Sequence, residues 1–413
     1  MANTFNLGNG NWAQKTEKLL AYNAENDNYK PLPFDFDRGS TATRVNRGGL
    51  IETVATDEPR IDFTNNTKGH LLLEPSRQNK VNYSEDFSQG YWVKDDVTLE
   101  SASITDPSGG TGAYLMKGNT NSSRHNIRAN SDTTTDSIIS VFAKKKDLRY
   151  LQLGSAHSGN QYANFDLETG VIGAVGSDFS NVKIENYGNG WYRLSAKANS
   201  QNSDVYISLV SSSTAGWLET WSMDNATDGL YLWGAQHEEG SYTTSYIPTS
   251  GSAVTRAVDN CYINSGLQDT LNTSEGTLFV DVEVPRVSSS GSYERITLSD
   301  QNASTDRILF DNYGGNWRAL MLSSAGNVNK TIVNVTANQR IKVAIAYSST
   351  GLRISYDGNT ATTTSGSYTP TTTLESFKFS NKDGGNKWQG KIHEVKYFDT
   401  ALSDAELITL TQV

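Results

Sequence analysis

The sequence predicts an all-β protein with two antiparallel β-sandwich domains that follow a short N-terminal region. Short segments rich in Val, Ile, Leu and Tyr recur along the chain, and Ser, Thr, Asn and Gly separate them. In many of these segments apolar and polar residues alternate, which is typical of strands with one buried and one solvated face. Only one cysteine occurs among 413 residues, so packing rather than disulfide bonds must stabilise the fold.

Length and composition predict three parts in a folded chain. We place an N-terminal attachment region at residues 1–62, a jelly-roll-like sandwich at 63–262 and a second sandwich at 263–413. Charged residues make up 19 % of the chain, but 20 Tyr, 13 Phe and 8 Trp are spread along it. Disordered chains are poor in aromatic residues, so this composition indicates packed cores.

The N-terminal part is too sparse in apolar residues to form a core of its own. Residues 15–20 are expected to form a helical turn or two. The extended segment after them contains prolines, which give no N–H group to a sheet and suit an edge or docking strand. We predict an attachment site formed by Pro31, Leu32, Pro33, Phe34 and Phe36; the alternative is a poorly ordered terminus.

Seven apolar runs predict strands of the first sandwich. They lie at residues 137–143, 150–153, 162–167, 182–187, 191–195, 205–210 and 230–233. Gly and Asn punctuate them, as expected for turns between antiparallel strands. Trp191 and Trp233 fall inside these runs, so we interpret both as core residues.

The second sandwich is predicted from alternating runs at residues 278–284, 341–347 and 352–356. The last run leads into Asp357-Gly358, a dipeptide that favours a type I′ turn. One helix is predicted near the C-terminus, where Ser403 and Glu406 fit a capping box. Leu402 and Leu407 form a staple across that cap, and the helix should run to about residue 410.

The charge and the N-terminal sequence predict a protein that binds neither nucleic acid nor membranes. A net charge of −10 opposes binding to phosphate backbones and to anionic membrane surfaces. No apolar run approaches the ~20 residues that span a bilayer. Since residues 1–4 show no signal peptide, we expect synthesis in a cytoplasm without one.

Metal, cofactor and catalytic motifs do not stand out, so no cofactor, metal site or catalytic residue is predicted. The histidines are scattered and lack zinc-binding spacing; they are His70, His125, His157, His237 and His393. A loop calcium site remains open, with Asp300, Asp306 and Asp311 as candidates. Neighbouring carboxylates such as Glu238 and Glu239 would point to opposite faces of a strand. Carboxylates that are distant in sequence could still meet in a cleft.

Aromatic residues beside Gly- and Asn-rich loops are the candidates for glycan contact. Sugars stack their C–H faces on flat rings, and loops commonly carry the binding sites of sandwiches. The candidate residues are Trp217, Trp221, Tyr313, Trp317 and Trp388. The alternative is that these rings cover the edges of the core with their polar atoms in water.

Several segments between about residues 30 and 257 resemble bacteriophage virion proteins of the head-fibre or head-spike kind. They are Leu-Pro-Phe-Asp-Phe at 32–36 with 38–46 and 49–52, Leu-Leu-Leu-Glu-Pro-Ser-Arg-Gln-Asn at 71–79 with 83–87, Gly-Trp-Tyr-Arg at 190–193, and Tyr-Leu-Trp-Gly-Ala-Gln at 231–236 with 238–240 and 245–249. The resemblance implies a structural protein of a tailed phage, and it leaves the position on the virion open.

The C-terminal part resembles concanavalin A-like, laminin G-like sandwiches. Trp-Gln-Gly-Lys-Ile-His-Glu-Val at 388–395 and Ala-Leu-Ser-Asp-Ala-Glu-Leu at 401–407 carry this resemblance. Many members have Asp where this chain has His393, which puts any hydrogen bond or metal contact of that Asp in doubt here. The resemblance implies a domain that binds glycans or proteins, or that has a purely structural role.

Together these observations predict a structural protein on a virion surface, not an enzyme: a capsid (head) fibre, spike or decoration. The expected partners are other virion proteins of the capsid or tail, further copies of the chain in a homo-oligomer (a trimer as first guess), and weakly bound host or environmental glycans. Two alternatives stay open. One is a tail-associated receptor-binding protein, and the other is an enzyme that cleaves polysaccharides.

Overall fold

A computed structural model describes most of the chain, namely residues 4–15, 18–22, 27, 33–155, 159–199, 204–289, 291–300, 306–381 and 383–412. These residues form antiparallel strands and one short α-helix. The predicted all-β class is therefore confirmed. Pro31, Leu32 and His157 lie outside the described residues.

Eight short strands occupy the described part of the first 75 residues. They are β1 (Phe5–Gly8), β2 (Ala13–Lys15), β3 (Lys18–Leu20), β4 (Pro33–Asp37), β5 (Ala42–Val45), β6 (Ile51–Val54), β7 (Ile61–Asp62) and β8 (His70–Leu73). Ala13–Lys15 and Lys18–Leu20 are thus strands, and the helical turn expected at residues 15–20 is wrong. β2 pairs with β3, and β3 follows strand alternation, because Leu19 is buried in the core while Lys18 before it is exposed.

The middle of the chain contributes β9 to β22. They are β9 (Arg77–Asn79), β10 (Val93–Asp95), β11 (Val97–Ser101), β12 (Tyr114–Gly118), β13 (His125–Asn130), β14 (Ser137–Lys145), β15 (Tyr150–Gly154), β16 (Tyr162–Asp166), β17 (Val171–Val175), β18 (Phe179–Asn186), β19 (Trp191–Ala198), β20 (Asp204–Leu209), β21 (Gly229–Glu239) and β22 (Val254–Arg256). Each of the seven predicted runs in this part coincides with one of these strands.

The last part contributes the remaining strands and the helix. They are β23 (Asn260–Ile263), β24 (Gly276–Glu283), β25 (Tyr293–Ser299), β26 (Arg307–Tyr313), β27 (Asn316–Ser323), β28 (Gly326–Asn334), β29 (Arg340–Ser348), β30 (Gly351–Tyr356), β31 (Thr362–Ser365), β32 (Ser376–Lys378), β33 (Gly390–Phe398) and α1 (Asp404–Thr411).

The chain divides into two compact units, and each combines segments that are distant in sequence. The first unit comprises the described parts of Met1–Thr41, Val54–Pro75 and Val258–Val413. The second comprises Ala42–Thr53 and the described parts of Ser76–Ala257. The boundaries predicted from the sequence, at residues 1–62, 63–262 and 263–413, differ from those of the two units. A strand pattern locates a strand but does not specify which sheet the strand joins.

The first unit is built from two sheets of described strands that enclose a common core. One sheet has eight strands in the order β31-β30-β29-β24-β33-β8-β7, with β1 also paired to β33. The other has nine strands in the order β2-β3-β4-β23-β32-β25-β26-β27-β28. Alternate residues of both sheets point inward, including Val280, Val343 and Val395 from one sheet and Ile296, Phe310 and Phe377 from the other.

The N-terminal strands are integral to this first unit. β1 pairs with β33, and β4 pairs with β23. Phe34 is 1 % exposed and packs edge-on against Phe377 with ring centroids 5.4 Å apart, and Phe36 is buried beside it in the same core. The predicted attachment role of these two rings is therefore corrected, since a ring enclosed in this core presents no surface to another protein. Pro33 is partly exposed at the start of β4.

The second unit also has two principal sheets, each with six described strands. Their orders are β10-β13-β20-β15-β16-β17 and β11-β12-β21-β14-β19-β18. Two-stranded ladders join β9 to β22 and β5 to β6. Trp191 and Trp233 are buried together with Phe142 and Tyr246, which confirms their interpretation as core residues.

Two local predictions near the C-terminus are also confirmed. Asp357 and Gly358 both have positive φ, 43° and 72°, as a type I′ turn requires. The backbone N–H of Ser403 donates to the Glu406 carboxylate at 2.8 Å, as a capping box requires, and α1 follows directly. Leu402 and Leu407 are buried against Phe279 and Phe398 on the eight-stranded sheet. Among the described residues, no helix is long and apolar enough to cross a membrane.

Candidate functional site

A polar cavity opens on the outer face of the nine-stranded sheet, the face turned away from the core of the first unit. Its volume is about 290 Å³. Seven residues line it, and six of the seven have polar or charged side chains: Asn260, Tyr262, Asn264, Lys378, Ser380, Asp383 and Gly384. A cavity lined in this way offers hydrogen-bond donors and acceptors rather than apolar surface.

Strand alternation explains why these polar residues meet. In β23, Cys261 and Ile263 are buried in the core, so Tyr262 between them points outward. In β32, Phe377 is buried in the same core, and Lys378 follows on the outer face. The two strands pair antiparallel with Tyr262 opposite Lys378, which brings the phenol and the ammonium to adjacent positions.

Tyr262 is held as a neutral hydrogen-bond donor at the cavity. Its hydroxyl donates to Oδ2 of Asp37 at 2.7 Å. That hydrogen bond, together with burial, raises the pKa of Tyr262 to about 12. The phenol therefore keeps its proton at neutral pH, and its ring has a fixed orientation.

Lys378 places a positive charge in the lining of the cavity, and the residue is only 8 % exposed. Burial lowers the pKa of this lysine, while the nearby Asp383 carboxylate opposes the shift. Asp383 belongs to a loop closed by the N–H of Asn381, which donates to the carbonyl of Gly385 at 2.7 Å. The loop thus carries Asp383 and Gly384 to the cavity rim.

A stack of tyrosines and arginines lies on the same outer face. Tyr293 and Tyr313 stand opposite each other in β25 and β26, with ring centroids 4.5 Å apart and an interplanar angle of 14°. The Arg295 guanidinium lies 3.9 Å from the centroid of the Tyr293 ring. The Arg318 guanidinium lies 4.1 Å from that of Tyr313. The stack fixes flat aromatic surface and positive charge side by side.

Asp311 holds the two arginines of this stack in place. Its carboxylate is buried, and it accepts hydrogen bonds from Nε of Arg295 at 3.2 Å and from Nε and Nη2 of Arg318, both at 2.9 Å. Nη1 of Arg295 also donates to Oδ1 of Asn381 at 3.5 Å. This last contact connects the stack with the loop that forms the cavity rim.

The five predicted glycan-contacting rings have different fates. Tyr313 lies on the outer face described above and is partly exposed. Trp317 and Trp388 are core residues, only 2 % and 1 % exposed, and both stack on Phe310. Their predicted glycan role is corrected, because Trp317 shares the inward face of β27 with Ala319 and Met321.

Trp217 and Trp221 belong to the second unit and are both partly buried. The Trp217 ring lies over Gly154, so close that a Cβ atom there would fall 1.9 Å from it. The Trp221 indole N–H donates to the carbonyl of Leu209 at 3.2 Å, and its ring meets His125 edge-on. Their role in glycan contact stays a prediction.

The three candidate calcium ligands do not form a shared site among the described residues. Asp311 is engaged by two guanidiniums, as described above. Asp306 accepts hydrogen bonds from the backbone N–H groups of Thr371 and Thr372 at 2.6 and 2.7 Å. Within the described part of the chain, no three His, Cys, Asp or Glu side chains are grouped so that they could hold a metal ion.

One cluster was not anticipated from the sequence: His70 and His393 meet on the eight-stranded sheet, with ring centroids 5.4 Å apart. Nε2 of His393 lies 3.8 Å from Oε2 of Glu283, and its Nδ1 lies 3.0 Å from Nδ2 of Asn66. Burial would raise the pKa of Glu283, but the nearby His393 side chain and the Lys391 ammonium outweigh it and lower that pKa to about 2. His70 lies in β8 and His393 in β33, and the two rings meet because these strands pair. Nothing in the sequence indicates that pairing.

The C-terminal architecture has a counterpart among known families. Residues 259–408 match the family model described as the concanavalin A-like lectin/glucanases superfamily. This part of the chain is similar to that superfamily. The match confirms the resemblance found in the C-terminal sequence, and it includes the seven residues that line the cavity. No curated protein matches the chain at a significant level.

Solved structures offer distant likenesses. The CBM40 module of a Ruminococcus gnavus sialidase, bound to α2,3-sialyllactose, is 11 % identical, with 34 % of this chain and 84 % of the module covered and a TM-score of 0.30. Domains LG4-5 of the mouse laminin α1 chain are 11 % identical, with 75 % and 95 % covered and a TM-score of 0.27. Trypanosoma rangeli sialidase is 10 % identical, with 77 % and 62 % covered and a TM-score of 0.30. The similarity to concanavalin A-like domains rests on the family match.

Proposed function

We propose that this chain is a non-catalytic glycan-binding protein displayed on a tailed-phage virion as a head fibre, spike or decoration. The observation that carries the binding part is the polar cavity on the outer face of a concanavalin A-like domain. The virion part is supported by the resemblance of residues 30–257 to head-fibre proteins. The two parts are tested separately.

The composition of the cavity suits a sugar. Asn260 and Asn264 provide amide donors and acceptors, and Ser380 provides a hydroxyl group. Sugar hydroxyls both donate and accept, so such a mixed lining can satisfy them on several sides. Ligand pockets usually hold about 300–1,000 Å³, so a cavity of about 290 Å³ suits one or two sugar rings. The neighbouring Tyr293–Tyr313 pair is partly exposed and offers ring edges to further units of a chain.

The arrangement of carboxylates favours binding over cleavage. Glycosidases commonly place two carboxyl groups about 5–10 Å apart across the bond that breaks. Among the described residues that line the cavity, Asp383 is the only carboxylate. Asp37 accepts the Tyr262 hydroxyl, and Asp311 is held by two arginines. Both carboxylates thus have structural partners and are poorly placed to act as acid or nucleophile.

Display in many copies fits a shallow and polar site. A cavity for one or two sugars gives weak single contacts, and linked copies raise the overall affinity through effective concentration. We therefore keep the homo-oligomer, with a trimer as first guess, as part of the proposal. Other virion proteins are the proposed partners at the attachment point.

Filling the cavity tests the binding part. Asn264 is exposed at the cavity, so Asn264→Trp should fold normally and block access. Asn121→Trp, at an exposed loop position of the second unit, is the matched control. On a glycan array, the full-length protein and the control should bind the same glycans, and Asn264→Trp should bind at least about tenfold more weakly. Equal binding by all three proteins would remove the cavity from the proposal.

Immunogold labelling of intact phage particles tests the virion part. Antibodies against the purified chain should decorate the head surface of every particle. Label confined to the tail would replace this proposal with a receptor-binding protein. Particles without label would refute the virion role, and the glycan-binding result would stand independently.

A further inference from the structure

A third arginine, Arg307, shares the outer face of the nine-stranded sheet with the cavity. β25 and β26 pair so that Arg295 lies opposite Asp311 and Ser299 lies opposite Arg307. Because side chains alternate along a strand, Arg307 and Asp311 project from the same face. Arg307 is also within electrostatic range of Arg295 and of Asp383 at the cavity rim.

Arg307 differs from its neighbours because it forms no ion pair with any of the described residues. Arg295 and Arg318 share the buried carboxylate of Asp311. The Nε atom of Arg307, by contrast, is buried without a hydrogen-bond partner among the described residues. Burial and the Arg295 guanidinium both lower the pKa of Arg307, against weaker opposition from Asp300 and Asp383. A partly buried guanidinium beside a second one therefore gains from an incoming negative charge.

The charge on this face contrasts with the charge of the whole chain. The chain carries −10, yet Arg295, Arg307, Arg318 and Lys378 gather on one face within the first unit. Arg295 and Arg318 share the single negative charge of Asp311, and Lys378 has Asp383 nearby. Arg307 keeps the planar fork of N–H donors that suits a carboxylate or a sulfate group.

We propose that this site selects acidic glycans, with Arg307 contacting a carboxylate or sulfate group while the cavity binds hydroxyls of the same or the adjoining sugar. This inference rests on the proposed glycan-binding function and specifies its substrate class. Charge-assisted hydrogen bonds are about twice as strong as neutral ones, so the acidic group should dominate selectivity. Because the chain as a whole is acidic, the rest of its surface would repel acidic polymers and favour their binding at this site.

The test compares three forms of one oligosaccharide by isothermal titration calorimetry. The probes are a galacturonic acid trisaccharide, the neutral galactose trisaccharide of the same linkage, and its sulfated derivative. The proteins are the full chain, Arg307→Gln and Arg124→Gln. Arg124 is exposed in the second unit, so its replacement removes the same charge elsewhere.

We expect at least one acidic probe to bind the full chain and Arg124→Gln about tenfold or more tightly than the neutral probe. Arg307→Gln should lose that preference and keep the weak neutral binding. Its thermal midpoint should match that of the full chain, because no ion pair within the described residues is lost. The stronger of the two acidic probes identifies the acidic group.

Two results would overturn the inference and leave the proposed function intact. One is equal binding of acidic and neutral probes to the full chain. The other is an acidic preference that survives in Arg307→Gln. If none of the three probes binds and the glycan array is also negative, the proposed function fails together with the inference.

Discussion

The two units of this protein share an architecture but use the chain differently. Each encloses its core between two antiparallel sheets. The second unit is drawn almost entirely from Ser76–Ala257, whereas the first combines segments from both ends of the chain with Val54–Pro75. The comparison shows that the described N-terminal strands are part of the same compact unit as Val258–Val413 rather than a separate arm.

The units also differ in what their aromatic residues do outside the core. In the second unit, the loop that bears Trp217 is fixed by Gln152, which accepts from the N–H of Leu218 and donates to the carbonyl of Gly216, both at 2.9 Å. In the first unit, Tyr293 and Tyr313 lie between arginines beside a polar cavity. Trp217 of the second unit therefore covers its own strand, whereas the tyrosines and the cavity of the first unit leave polar surface that a ligand can contact.

Deleting residues 1–37 should have the largest effect on stability, and it should destabilise the first unit only. The deletion removes β1 from the eight-stranded sheet and β2, β3 and β4 from the nine-stranded sheet. We expect residues 258–412 to lose most of their protection in amide hydrogen exchange, while residues 76–257 keep theirs. Unchanged protection of residues 258–412 would mean that the N-terminal strands are a detachable addition.

A pair of point variants refines that comparison. Phe34 is buried in the core of the first unit, and Phe165 is buried in the core of the second. Each Phe→Ala change should cost about 3–5 kcal/mol of unfolding free energy. Hydrogen exchange should locate the loss in the first unit for Phe34→Ala and in the second for Phe165→Ala.

A buried ion network should be almost as important, because it joins the three segments of the first unit. Nη1 of Arg38 lies 3.2 Å from Oδ1 of Asp259. Arg60 pairs with Asp259 as well, and its Nη1 lies 2.7 Å from Oε2 of Glu74. Asp259→Asn should cost about 3–5 kcal/mol in urea unfolding, since two guanidiniums stay buried without their shared carboxylate.

The matched control for the network is an exposed ion pair. Lys117 pairs with Glu100, whose side chain is largely exposed. Glu100→Gln should change the unfolding free energy by less than about 1 kcal/mol. If Asp259→Asn were equally mild, the network would not be what joins the segments.

Acid should destabilise both units through buried histidines. Burial, chiefly, holds the pKa of His70 well below its ordinary value in the first unit and lowers that of His237 to about 4 in the second. As the pH falls below about 6.5, the unfolded chain takes up protons that the folded chain refuses, so each such histidine costs up to about 1.4 kcal/mol per pH unit. For His237 the loss should level off near pH 4.

The contribution of His237 is measured by difference. Urea unfolding of the full chain and of His237→Gln should be followed from pH 7.5 to 4.5, so that the other titrating groups cancel. The variant should show a shallower decline in the second unit below pH 6.5. Parallel curves would show that His237 accepts a proton in the folded state.

The smallest effect should separate the two kinds of aromatic surface. Tyr313→Ala removes one ring from the stack beside the cavity and should weaken glycan binding a few-fold, by about 1 kcal/mol. Trp217→Ala should leave binding unchanged, because its ring covers Gly154 in the other unit. The reverse ranking on the same glycan would move the site to the second unit.

The positions of many strands could be predicted from the sequence, but the pairing of those strands in sheets could not. Alternation in residues 278–284 and 341–347 located β24 and β29, and the capping box at Ser403 located α1. Alternation also indicates that Trp317 points inward with Ala319 and Met321. The glycines beside Trp317, however, are equally typical of a ligand-binding loop. Three-residue strands such as β2 and β3 carry too few residues for a period to be recognised.

The candidate site was harder to predict because it forms only when distant strands pair. Tyr262 and Lys378 are adjacent through the pairing of β23 with β32, and no local pattern indicates that pairing. The sequence indicates Tyr313 as a candidate because it lies beside the Gly/Asn loop that begins with Gly314 and Gly315. The arginines were not singled out, since surface cations of this kind are common in any sandwich.

Hydrogen exchange with and without a glycan that the array identifies tests the central claim most directly. The account predicts added protection in residues 260–264 and 376–385, where β23, β32 and the loop after β32 form the cavity. Protection that appears instead at residues 213–221, or none in the first unit under saturating glycan, would contradict it.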